Sequence, residues 1–238
     1  MENKKQMSNR HQALEYSEYY TMNHTNEATN AQELSATQRS KEWFKDRLGK
    51  FTASKIIDLL GVKGLGLTGD TYAFEKAAEE VHGELDEGES SFISKDMQRG
   101  IDLEPYAFAM FKRKHPETTE SFMFPYGKHA GASPDGVVGK NAVLEIKCPK
   151  KKKFLKLVAN GYDEIDKQYI AQMQMQMLCS NSDKAYFFNY CVINGEEFGH
   201  TIEVKRDEKM IALIKERLEE AIAIKEAYIE KINSKLQK

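Results

Sequence analysis

The sequence has few cysteines, no long hydrophobic run and almost no net charge, and each shortage removes a class of protein. Cys148, Cys179 and Cys191 are scattered and form no C-x-x-C pair. That pattern excludes a disulfide frame and a cysteine zinc site, and leaves reduced thiols that behave as small buried hydrophobes. No apolar stretch reaches the roughly 18 residues a transmembrane helix needs, so none is expected. No apolar stretch follows the first residues, so no secretory signal is expected, and the cytoplasm is the expected compartment. His11, His24, His82, His115, His129 and His200 show no paired metal spacing. The formal net charge of −2 excludes a general polycation, so any contact with an acidic polymer must come from a local patch. In Lys63-Gly-Leu-Gly-Leu-Thr-Gly69 the lysine precedes the glycines, which excludes a phosphate loop and leaves an ordinary loop. No internal repeat is visible.

What remains is enough chain, 238 residues and 40% hydrophobic, for one sizeable domain. Residues 1–37 are polar with few aliphatics and read as a mobile or loosely helical arm. Residues 38–238 read as a single domain with a C-terminal helix. Short helices are expected after Ser40 and over 52–60, a glycine loop over 61–69, and a helix capped by Asp70 to about Gly83. A longer helix is expected over 94–114, with Met97, Ile101, Ala107, Met110 and Phe111 apolar. Strands are expected over 122–126, 129–138 and 142–147, with Pro125 limiting the first to an edge or an end. A helix over 163–180, a hairpin of 185–193 and 198–204 turning at Asn194-Gly195, and a final amphipathic helix from Asp207 complete the chain. The order implies a mixed α/β fold with a central sheet flanked by helices.

Within it, Glu145 and Lys147 lie two apart in a strand and project to one face about 6.6 Å apart, while Leu144 and Ile146 face the opposite side. A turn at Gly139-Lys-Asn141 brings Asp135 beside Glu145. Two close carboxylates stay ionised cheaply only around a cation. Oxygen donors without His or Cys favour magnesium. Such a cation activates water and stabilises a leaving oxygen on phosphorus. Lys147 would act on that water or on the phosphate. Residues 146–162 hold no acid and six lysines, including Lys150, Lys151, Lys152 and Lys153, a pattern that favours phosphate binding over a solvated turn. The strand ornament reading of the carboxylates remains the bland alternative.

Four ordered blocks resemble a known family. They are Trp43-Phe-Lys-Asp-Arg47-Leu-Gly-Lys-Phe-Thr52-Ala-Ser54, Arg99-Gly100-Ile-Asp-Leu-Glu104-Pro-Tyr-Ala107, Ala132-Ser133-Pro134-Asp135-Gly136 with Glu145-Ile-Lys147-Cys-Pro149, and Tyr169-Ile-Ala-Gln172-Met-Gln174. Together they are similar to the lambda-type phage exonucleases, or YqaJ-like viral recombinase nucleases, of the PD-(D/E)xK superfamily. The resemblance implies a restriction-endonuclease-like core. It implies that Glu104, Asp135, Glu145 and the backbone carbonyl of Ile146 hold metal, two Mg2+ ions with Mn2+ able to substitute, and that Lys147 is the catalytic lysine. It implies that Arg47, Ser54, Ser133 and Gln172 grip a DNA 5′-phosphate. On the helix, Gln172 and Gln174 point about 200° apart, so only one faces the site, and Gln172 is the choice. Met173 and Met177 are expected in the core.

The implied activity is 5′ to 3′ digestion of linear duplex DNA, leaving 3′ single strands for recombination by strand annealing. The implied partners are DNA ends, a single-strand annealing protein and copies of the chain itself in a trimer, in a host cytoplasm. The iron–sulfur nucleases that share the triad need a four-cysteine cluster that this chain lacks. A structure- or site-specific endonuclease and a non-catalytic DNA-end-binding protein remain alternatives. An assembly protein built on the last helix is a further alternative.

Overall fold

The structure, a computed structural model, describes residues 41–84 and 94–236. The expected arm over 1–37 and the Ser40 cap lie outside the described residues. The chain divides into two units between Phe44 and Lys45, within helix α1 (Lys41–Arg47).

A five-stranded sheet carries the site. Its order is β2 (Thr118–Thr119), β5 (Gly136–Val138), β6 (Ala142–Lys147), β7 (Lys184–Ile193) and β8 (Glu196–Lys205). Only β6 and β7 run parallel; the other neighbours are antiparallel, so the sheet is mixed. A second sheet has the order β1 (Phe51–Thr52), β4 (Ala130–Ala132), β3 (Phe124–Tyr126). Pro125 lies in edge strand β3, where its missing N–H costs no ladder bond.

Strand β6 is central and buried on both faces, which explains its near-continuous apolar reading. On one side Leu144 and Ile146 pack with Ala107 and Phe111 of α3 (Lys95–Lys114). On the other, Val143 packs with Met173 and Met177 of α5 (Lys167–Ser180). The opposite flank of α5, Ala171 and Met175, packs with Phe51, Ile56 and Leu59 and with Ile211, Ile214 and Leu218 of α6 (Glu208–Lys235). Helix α5 is thus sandwiched. Its sequence shows no clean amphipathic stripe because both flanks are core. Helix α2 (Gly66–His82) completes the second layer through Tyr72 and Ala73.

Several expectations need correction. The expected strand over 129–138 is two strands in two different sheets, because the chain crosses between them at Ser133-Pro134-Asp135, where proline offers no ladder N–H. Helix α2 starts at Gly66 and Asp70 lies inside it, accepting from the Tyr228 hydroxyl at 2.9 Å. A Cβ on Gly69 would sit 2.7 Å from Leu65 Cβ, so this glycine permits tight packing of the first turn. Residues Ala53–Leu59 form a 3-10 helix. The lysine segment is helix α4 (Lys151–Asn160), seated by buried Phe154 and Leu157. A 3-10 turn (Gly161–Glu164) precedes α5, so the expected helix over 163–180 is interrupted. Met97 is 51% exposed and lies outside the core. Ser94 caps α3 by accepting from Met97 N–H, and Asp207 caps α6 by accepting from Lys209 and Met210 N–H. Asn194 and Gly195 take positive φ between β7 and β8, as the hairpin turn requires. No described helix is long and apolar enough to cross a membrane.

Candidate active site

The site forms where the crossing segment meets the C-terminal end of β6. The Asp135 N–H donates to Leu144 O at 2.9 Å, and the Ile146 N–H donates to Asp135 Oδ2 at 2.6 Å. The carboxylate of Asp135 is thereby aimed along β6. Gly136 allows this approach. A Cβ there would lie 3.2 Å from both the Phe108 ring and the Thr119 carbonyl oxygen. The Ile146 N–H is thus engaged with Asp135, beside the carbonyl that the resemblance implies as a metal ligand.

Glu145 is 1% exposed and is gripped by three donors. Lys147 Nζ and Gln172 Nε2 donate to Oε1 at 2.5 and 2.7 Å, and Gln176 Nε2 donates to Oε2 at 2.6 Å. Helical spacing put Gln172 and Gln176 on one face, and both reach the same carboxylate. Gln174 turns away to tie Lys205 O and Asp207 N–H. Gln176 was missed as a site residue; the i, i+4 relation to Gln172 was the available signal. Lys147 Nζ also sits 5.0 Å over the Tyr169 ring, and Tyr169 packs against Phe187.

Burial, then the negative charge of Glu145, pushes the Asp135 carboxyl well above its ordinary range. Glu104 adds to this, while Lys147 and the Ile146 N–H oppose it. Burial opposes the charge on Lys147, but Glu145 and Asp135 outweigh it and hold the ammonium above the usual lysine range. Burial lowers the Arg47 guanidinium to about 10, with Tyr72, Asp135 and Glu145 pulling the other way, so it stays charged at neutral pH.

Arg47 Nη1 donates to Ser133 Oγ at 3.0 Å, so two of the expected phosphate contacts meet beside Asp135. Ser54 is exposed and joins Thr52 Oγ1 at 3.3 Å, while the Thr52 N–H donates to the Tyr72 hydroxyl at 3.0 Å. Gln172 instead faces Glu145. Glu104 lies on α3, near enough to raise Asp135 and Cys148. Arg99 pins this helix to the end of β6, donating to Cys148 O at 2.7 Å. The Cys148 thiol is pushed up to about 12 by burial first and then by Glu104, so it is not a nucleophile at neutral pH. Of the lysines, Lys150 pairs with Asp96 at 2.8 Å, and Lys153 with Glu164 and Asp166. Lys151 and Lys152 are exposed on the first turn of α4.

No group of three His, Cys, Asp or Glu side chains forms a ready cage for a metal among the described residues. The donors still fit a hard divalent cation. Asp135 and Glu145 are close enough to repel, and Gln176 Oε1 is a buried acceptor without a hydrogen-bond partner. A cation held by Asp135 and Glu145 would relieve the first, and a water on it would offer the second a donor.

Replacing Gln176 with Leu removes a donor from a buried carboxylate. We expect a loss of about 1–3 kcal/mol of stability, read from the urea unfolding midpoint. An unchanged midpoint would show that the contact is dispensable.

Residues 42–183 match the family model described as YqaJ-like viral recombinase domain. The solved alkaline exonuclease LHK-Exo of Laribacter hongkongensis is 32% identical, over 82% of this chain and 97% of that one, with a TM-score of 0.70. The same enzyme in complex with dAMP matches at 31% identity with the same TM-score and the same coverage of both chains. A phage related exonuclease from Haemophilus somnus 129PT shares the fold at 17% identity, over 79% of this chain and 96% of that one, with a TM-score of 0.60. No curated protein sequence matches the chain significantly. With more than half its length inside the family model and the fold of alkaline exonucleases around its carboxylates, the chain belongs to the YqaJ-like viral recombinase domain family.

Proposed function

We propose that this nuclease digests linear duplex DNA from its 5′-phosphorylated ends, 5′ to 3′, and leaves a 3′ single strand. The observation that carries the reading is the junction of two devices. The Asp135, Glu145 and Lys147 cluster suits phosphodiester hydrolysis, and the adjoining Arg47–Ser133 pair suits a terminal phosphate. Asp135 and Glu145, with Glu104 on the facing helix, would hold Mg2+. Such an ion lowers the pKa of a bound water and stabilises the leaving oxygen. Lys147, held as a cation, would neutralise charge building on the phosphorus oxygens. Arg47, Ser133 and Ser54 would orient the end. Exposed Lys151 and Lys152 would add sequence-independent attraction to the backbone, with Lys150 and Lys153 joining only by releasing their acidic partners. Release of mononucleotides is supported by the dAMP complex of the Laribacter relative. By family likeness, the chain would assemble as a homotrimer and hand its product to a single-strand annealing protein in recombination.

The deciding experiment is a time course on linear and closed circular duplex, with Mg2+ and with a chelator. The expected result is mononucleotide release from the linear, 5′-phosphorylated substrate with Mg2+ alone. Nicking of the circle would instead identify an endonuclease, and binding of ends without cleavage a non-catalytic protein.

A further inference from the structure

We propose that Lys225, Glu79 and Glu80 are positioning residues that set the Arg47–Ser133 pair from outside the site. The inference rests on the reading of Arg47 and Ser133 as the phosphate contact.

Three long polar side chains lie between α2 and α6 at almost no exposure: Lys76 and Glu79 at 4% and Lys225 at 1%. They converge on a single turn. The Gly49 N–H donates to Glu79 Oε2 at 2.9 Å, and Gly49 O accepts from Lys225 Nζ at 2.5 Å. Lys76 holds the other oxygen of Glu79. Lys225 pairs with Glu80 Oε2 at 2.6 Å and lies 3.3 Å from His129 Nδ1, and Glu80 Oε1 takes Lys128 at 3.4 Å. Gly49 has φ +66°, and a Cβ there would press on Glu80 Cβ at 3.1 Å. Both backbone groups of a left-handed glycine are therefore captured by charged side chains.

Two chain segments leave this cluster side by side. The Phe51 N–H donates to His129 O at 2.9 Å, and β1 continues parallel to β4. Two residues before Gly49 stands Arg47. At the far end of β4, the residue after Ala132 is Ser133. These are the two side chains that meet at 3.0 Å. The cluster thus fixes the backbone from which each of the pair is reached. Apolar side chains would close the contact between α2 and α6 without desolvating any charge. They could not hold the N–H and the C=O of the turn, and a hydrogen bond to a charged group is among the stronger ones.

The test compares wild type with the double variant K225M/E80Q, which removes the ion pair without leaving a lone buried charge. E79Q is measured in parallel. The readout is kcat and KM on linear duplex carrying either a 5′-phosphate or a 5′-hydroxyl. For both variants we expect KM for the phosphorylated end to rise about tenfold, the equivalent of one such hydrogen bond. KM for the hydroxyl end and both kcat values should stay at wild type. K225R, which keeps the donor to Gly49, should restore the phosphorylated KM. Equal losses on both ends, a fall in kcat, or wild-type selectivity would each overturn the inference. If K225M/E80Q does not fold, E79Q decides by the same criteria. The variant R47A separates the two readings. If R47A loses the preference for phosphate while the cluster variants keep it, the positioning role alone fails. If R47A itself keeps the preference, the phosphate contact fails and the positioning role falls with it.

Discussion

Replacing Lys147 with Ala is expected to slow phosphodiester hydrolysis by about 10³-fold while leaving capture of DNA ends intact, the scale lost when one preorganised electrostatic donor is removed. The expectation follows from where Lys147 sits. Its ammonium lies 2.5 Å from Glu145 and over the Tyr169 face, at the end of a central strand that both faces of the core hold rigid. In the metal-free protein Glu145 and Asp135 keep it charged, a donor and a point charge. Charge building on a phosphorus oxygen would find it already in place. The end contacts at Arg47 and Ser133 do not depend on it, so binding should survive. Single-turnover cleavage and a filter-binding titration separate the two effects. Full cleavage by the Ala variant would remove Lys147 from the chemistry; loss of binding equal to the loss of rate would make it a binding residue instead.

Adding Mg2+ is expected to stabilise the protein, and to do so more at alkaline than at acidic pH. The sign follows from Asp135. Its carboxyl titrates well above the ordinary value because of burial and the neighbouring Glu145. In the metal-free protein, the stability this group contributes is complete below the ordinary carboxylate pKa, near 3.9. It is lost as pH rises through the elevated folded value, because a second buried negative charge must then be held beside Glu145. A divalent cation reverses that penalty, but it competes with the proton for the same oxygen. Acid therefore weakens its binding and alkali strengthens it. At a hundredfold excess over Kd, binding adds about 2.7 kcal/mol, or about 5–10 °C in Tm for a domain of this size. Differential scanning fluorimetry at pH 6 and pH 8.5, with Mg2+ and with a chelator, measures this directly. A Tm shift independent of pH would show that the proton on Asp135 and the cation do not share a site. The Asp135→Asn variant should lose the pH dependence.

The sequence reading succeeded where a residue's neighbours along the chain dictate its direction. Alternation in 142–147 placed Glu145 and Lys147 on one face and Leu144 and Ile146 on the other, and β6 has that arrangement. Helical spacing allowed only one of Gln172 and Gln174 to face the site, and of the two Gln172 does so, although its partner there is Glu145, while Gln174 turns away. The Asn194-Gly195 turn depends on local φ values, which these residue types specify. The reading failed where a distant packing contact decided. Asp70 resembles a cap, but Gly69 lets the helix begin a turn earlier against Leu65. The run over 129–138 resembles one strand, but Pro134 ends its pairing and two sheets share it.

The sequence by itself determined which side chains of 142–147 share a face and the order in which the chain presents Asp135, Glu145 and Lys147, because the period of a strand and the period of a helix are local properties. It also determined the family, through blocks whose spacing needs no coordinates to be recognised. Only the tertiary structure decided who touches whom. That Gln176 joins Gln172 on one carboxylate, that Arg47 meets Ser133 across the domain, and that Lys225 reaches back to Gly49 all depend on α5, β4 and α6 being brought together by burial of apolar surface. That force is set by area and has no direction along the chain, so spacing can put Gln176 beside Gln172 but cannot name Glu145 as their shared partner, nor join Arg47 to Ser133 or Lys225 to Gly49.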